Sequence, residues 1–179
     1  MNDRERAVRD AVIDIERFAA QSGWDGPVRI FALIRAAEAL ARNPELAREL
    51  PADVVAEAQQ NSEVIFSVEQ EGLPQADTLE ALLAQLAWPD EVDGAAIVAE
   101  RIVVPPEAEA SLPTDPHAAI EALSQHPDRE DVRMVVGVMR GGESWCAMRT
   151  RSNDDPDAVI ESPDAVPGLV AALSATFED

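Results

Sequence analysis

Residues 132–151 constrain the fold more than any other stretch of this chain. Two apolar runs, 132–139 and 144–151, flank Gly141-Gly142, the pattern of a β-hairpin with a two-residue glycine turn. Such a turn predicts Arg140 opposite Glu143, Val138 opposite Trp145, Val136 opposite Ala147 and Met134 opposite Arg149. The other face then carries Val135 with Met148 and Gly137 with Cys146. Both faces are substantially apolar, so the hairpin has to sit inside a sheet or be covered on both sides.

The rest of the chain offers helices to cover it. Val8, Ala11, Val12, Ile15 and Ala19 recur at helical spacing. A second helix is expected through Ile30, Phe31, Ile34, Ala37 and Ala41, ending at Asn43-Pro44, with short helical pieces over 45–50 and 52–60. Near residue 63 the period changes, and Val64, Phe66 and Val68 alternate as in a strand. Asp77 with Glu80 predicts the start of a helix carrying Leu79, Leu82, Leu83 and Leu86 and ending near Trp88-Pro89. Residues 95–104 read as a second strand and 105–116 as a loop. Asp115-Pro116 opens a helix through Ile120 and Leu123, and Pro167-Gly168 opens a last one carrying Leu169, Val170, Leu173 and Phe177. The expectation is a single α+β domain over 1–179, helical over 3–60 and sheet-containing over 61–179. An antiparallel or mixed sheet of about four strands would pack against N-terminal, middle and C-terminal helices.

Charge narrows the partners. Against 35 acidic residues stand 14 basic ones, all arginine, for a formal net charge of −21. Lysine-free, alanine-rich composition points to a GC-rich genome. A charge this negative repels nucleic acids and anionic membranes, so neither is an expected partner. The N-terminal residues are charged rather than a signal peptide's apolar run, and no stretch approaches the ~18 apolar residues of a membrane span. A cytoplasmic location is expected.

Few residues could carry chemistry. Asn153, Asp155, Asp157 and Asp164 have the spacing of a calcium loop, but Ala158 stands where glycine is required and Pro156 stiffens the turn. His117 and His126 lack a metal-helix spacing. Cys146, the one cysteine, lies mid-strand and reads as a small buried hydrophobe rather than a nucleophile. No catalytic residue, metal or cofactor is expected. Arg101, Arg133, Arg149 and Arg151 sit in or at the ends of predicted strands, and with His126 they are the candidate site for an anionic ligand. The competing reading ties each arginine to a nearby acid such as Glu69, Glu100 or Asp131. Trp24 and Trp88, flanked by turn formers, are candidate partner anchors or caps on the core edge.

The combination Trp88-Pro89-Asp90, Glu100-Arg101, His126-Pro127, Val132-Arg133, Trp145-Cys146-Ala147-Met148-Arg149 and Val166-Pro167-Gly168-Leu169 resembles an uncharacterised family of small acidic actinobacterial proteins. The resemblance runs over about residues 9–177 and implies a bacterial cytoplasm, but no activity and no site residues. A looser, fold-level similarity is to small acidic secretion chaperones, which pack helices on a twisted antiparallel sheet and often dimerise. Two functions follow as expectations. The first is a non-enzymatic adaptor or chaperone-like protein that binds another protein, possible as a homodimer; the second is a small-molecule binder or minor enzyme using the strand arginines.

Overall fold

A computed structural model describes residues 1–178. Among these, six strands form one sheet: β1 (Arg29–Arg35), β2 (Ile65–Glu69), β3 (Gly94–Val103), β4 (Glu130–Met139), β5 (Ser144–Thr150) and β6 (Ile160–Ser162). Their order is β2-β1-β3-β4-β5-β6, and every neighbouring pair is antiparallel. Helices α1 (Asp3–Ala20), α2 (Ala36–Arg42), α3 (Ala52–Gln60), α4 (Leu79–Leu83), α5 (Pro106–Ala110), α6 (Pro116–Gln125) and α7 (Pro167–Ala175) complete an α+β fold.

The helices cover both faces, as the two-sided hairpin requires. Asn2 caps α1 in a capping box, its Oδ1 accepting from the Glu5 N–H at 2.8 Å while Glu5 accepts in return from the Asn2 N–H. The buried stripe of α1, Val8, Val12, Ile15 and Ala19, packs on Phe31, Leu33, Ala96, Val98, Val135 and Ala147. On the opposite face Leu82 and Leu83 of α4 and Leu169 and Leu173 of α7 pack on Ile30, Ala95, Ile97, Val136, Val138 and Cys146. Alternate residues of β1 and β3 therefore serve two separate cores.

Five expectations are corrected. Residues 29–35 form β1 rather than the expected second helix, and only 36–42 turn helical. Ile30, Phe31, Ala32 and Leu33 are all buried because both faces are covered, so the run shows no period that separates strand from helix. With β1 inside it, the stretch 3–60 is not a purely helical part, and the sheet has six strands rather than about four. The second missed strand, β6, has three residues, too few to show alternation. Part of the expected loop 105–116 is α5, opened by Pro105-Pro106. The cap of α4 is Thr78, whose Oγ1 accepts from the Ala81 N–H, one residue beyond Asp77.

The hairpin register is also corrected, by one residue. Its loop has three residues, Arg140-Gly141-Gly142, closed by the Met139 N–H donating to Glu143 O at 2.9 Å. Gly142 takes φ +101°, a conformation that side chains disfavour. Arg140 is drawn out of the ladder: its N–H donates to Asp93 O (2.8 Å), Nε to Val92 O (2.7 Å) and Nη2 to Pro89 O (3.0 Å). The pairs become Val136 with Cys146, Met134 with Met148 and Arg133 with Arg149. A one-residue slip changes which side chains share a face, and here it brings two arginines together.

Candidate functional site

Register fixes where the candidate arginines go. Glu100, Arg133 and Arg149 lie in a row across β3, β4 and β5, on the face that α1 covers. Like charges directly opposite one another repel, and Glu100 accepts instead from the Asp25 and Gly26 N–H groups, so the two arginines need a further acid. Glu16 of α1 supplies it, 1% exposed, with one oxygen 2.6 Å from Arg149 Nε and the other accepting from Nη2 at 2.9 Å. Arg149 Nη1 also donates to Asp154 at 3.1 Å. Arg133, 2% exposed, donates from Nη1 to Gly23 O at 3.0 Å, and its Nη2 lies 3.8 Å from Glu16. Its Nε and Nη2 have no hydrogen-bond partner among the described residues.

Trp24, in the turn after α1, closes the cluster. The Arg133 guanidinium sits 4.6 Å from the indole centroid and that of Arg151 5.8 Å, a cation–π arrangement. The Trp24 N–H donates to Asp154 at 3.1 Å. Arg151 is more exposed and reaches both oxygens of Asp25, at 2.9 and 3.1 Å, and Asp131 at 3.1 Å. Burial pulls the Arg133 guanidinium below its ordinary range. Burial acts the same way on Arg149, but hydrogen bonds to Glu16 and Asp154 outweigh it and hold that group above its ordinary range. Arg133 and Arg149 are thus balanced chiefly by buried Glu16 and, from the solvent side, by Asp154.

Arg101 and His126 do not join it. Arg101 points to the other face of β3, 3.8 Å from Glu80, and His126 ends α6, its Nδ1 accepting from the Asp128 N–H at 3.0 Å. Cys146 is buried, and burial pushes its thiol up, away from a nucleophile's thiolate. In the Asp-rich loop Asp155 accepts from the Asp157 N–H, capping a short turn, while Asp154 serves the arginines. No three His, Cys, Asp or Glu side chains among the described residues converge as a metal site, and no described helix is long and apolar enough to cross a membrane.

The cluster makes a pH prediction. The Trp24 N–H and the Arg149 guanidinium hold the Asp154 carboxyl below its ordinary range. A depressed carboxyl stabilises the fold above its unfolded-state pKa, and that contribution is lost as pH falls through the folded-state value. Asp154→Asn is therefore expected to cost less than about 1 kcal/mol at neutral pH, as exposed pairs do. The difference from the parent should shrink as pH falls below the ordinary aspartate range. Denaturant melts across that range check it; a pH-independent difference would show that the charge is not involved.

A second place was not foreseen. Between α2, the turn Pro44–Arg48 and the strands lies a groove of about 520 Å³, floored by Ile34, Leu46, Leu50, Phe66 and Val68. Arg42, Glu49 and Glu91 stand on its rim. Val68 is 43% exposed there. On the other face of β2, Ile15, Phe18, Phe31 and Ser67 line a cavity of about 380 Å³ with Asp14 and Glu69. The alternation of Phe66 and Val68 marked a strand in the sequence; that it is the sheet's edge depends on β1, which showed no period.

No curated protein and no solved structure matches the chain. Residues 8–178, nearly its whole length, match the family described as PPA1309-like protein, and the chain belongs to that family.

Proposed function

We propose that the chain is a non-enzymatic, protein-binding adaptor or chaperone-like protein of a bacterial cytoplasm. The groove beside β2 supports this reading: apolar side chains of Ile34, Leu46, Leu50, Phe66 and Val68 line a concave, solvent-open surface at the edge of the sheet. The antiparallel sheet packed with helices agrees with the likeness to secretion chaperones, which is an analogy of fold alone. Arginine without lysine agrees with an actinobacterial source. The alternative, an anionic-ligand site, asks for guanidinium groups free of acids. Arg101, Arg133, Arg149 and Arg151 each have a carboxylate within 3.8 Å, and the observations do not favour that reading.

Affinity capture and light scattering test the proposal on the parent and on a Val68→Glu, Leu50→Gln variant. The parent is expected to hold a partner, or a second copy, at fixed stoichiometry, and the variant to lose it by about tenfold or more with circular dichroism unchanged. A parent that stays monomeric and retains nothing, or a variant that binds equally well, overturns it.

A further inference from the structure

We propose that β2 receives an extended partner segment of alternating apolar and basic residues, added to the sheet as a strand; this rests on the protein-binding reading above. The Gln70 N–H donates to Ile30 O and the Ala36 N–H to Val64 O. With the register Ala32 to Val68 and Ile34 to Phe66, these bonds fix the alternation, so even-numbered residues of this stretch bond to β1. The N–H and C=O groups of Ile65, Ser67 and Glu69 face outward from the sheet, and no other strand among the described residues pairs there.

Two hollows flank that row, one on each face. A strand laid along β2 would send alternate side chains to opposite faces. Those on the side of Phe66 and Val68 meet the apolar groove, and those on the side of Ser67 meet the cavity holding Asp14 and Glu69. Backbone bonds with alternating pockets are how sheet edges take up peptides.

Charge selects the occupant. Asp14, Glu49 and Glu91 line its hollows and Glu71 follows β2 in sequence; none of the four makes an ion pair among the described residues, whereas Glu69 is already paired with Arg29 at 2.6 Å. Asp14 keeps solvent access on its outer side. Partial desolvation, and then repulsion from Asp10, push its carboxyl above the ordinary range, a penalty an incoming cation relieves. A second copy would bring the same acids to a chain already at −21. Edge strands commonly resist pairing through lysine, proline or a bulge. β2, Ile-Phe-Ser-Val-Glu, contains neither residue and pairs in continuous register, leaving flanking acids as its main defence. That defence turns away acidic copies and attracts a basic segment.

The test uses a short fluorescent peptide alternating arginine with valine and leucine, against the same residues with the arginines in one block. Anisotropy should show the alternating peptide binding about tenfold tighter, more weakly as salt rises. Hydrogen exchange on the parent should slow at the amides of Ile65, Ser67 and Glu69. Ser67→Pro removes an outward N–H and no ladder bond, and should weaken binding by about tenfold. If both peptides bind alike, or protection falls outside β2, the edge proposal fails while a partner lost from the Val68→Glu, Leu50→Gln variant would keep the protein-binding reading. A dimer abolished by Ser67→Pro, with no peptide bound, overturns it in favour of a second copy. No peptide, no partner and no self-association overturns both.

Discussion

Replacing Glu16 by glutamine is expected to lower the unfolding free energy by about 3–5 kcal/mol, the usual cost of breaking a buried ion pair from one side. The size follows from what remains. Arg133 and Arg149 are nearly inaccessible to water, directly opposite each other on β4 and β5, and glutamine leaves them only Asp154 as a charged neighbour in contact. Two buried cations would then repel at a site from which water is excluded. Chemical denaturation at neutral pH reads the loss as a lower midpoint with an unchanged slope.

Removing the other partner should cost far less. Arg133 has no hydrogen bond at Nε or Nη2 and pairs with Glu16 only at 3.8 Å, so Arg133→Met gives up one bond to Gly23 O and the stack on Trp24. It also removes a desolvated charge, and the net change is expected to stay within about 1 kcal/mol. Joining Glu16→Gln to Arg133→Met restores neutrality with Arg149 and Asp154, and should recover about 2 kcal/mol of the Glu16 loss. A Glu16→Gln cost below about 1 kcal/mol would refute the charge balance. Equal costs for the two single variants would place the energy in the Trp24 and Gly23 contacts instead.

Much of this fold is legible where one local rule suffices. The stripe of α1, the Asp115 cap and Pro116 of α6, and the β-branched run of β3 each carry their own signal. Glu16 was missed, although an acid on the apolar stripe one turn beyond Val12 is the signal that asks for a buried partner. Elsewhere the decisive contact is remote in sequence. β1 shows no period because helices that meet only in the folded chain bury both its faces. The hairpin loop takes three residues rather than two because Arg140 is held by Val92, Pro89 and Asp93. The arginine site depended on that register: with Met134 opposite Arg149 no cluster forms, and with Arg133 there Glu16 is needed between them.

That same junction sets the second large effect, expected for Gly94→Ala at about 2–3 kcal/mol. Gly94 opens β3 opposite Met139, next to Asp93, whose N–H donates to Leu33 O and whose carboxylate accepts from the Arg35 N–H. A Cβ at Gly94 would collide with Sδ of Met139 and with the backbone O of Val138. The thioether can swing aside; the carbonyl cannot move without opening the β3–β4 ladder. Gly137→Ala is the control, since its Cβ meets chiefly a Val12 methyl at 2.6 Å, which a small shift of α1 relieves at about 1 kcal/mol. Opening the ladder at Gly94 also loosens the Asp93 carbonyl that holds the Arg140 N–H. Faster hydrogen exchange at Arg140 and Gly142 in Gly94→Ala, and not in Gly137→Ala, is therefore expected. Equal costs with unchanged exchange would mean that packing against α1, rather than the junction of β1, β3 and the hairpin loop, limits this end of the sheet.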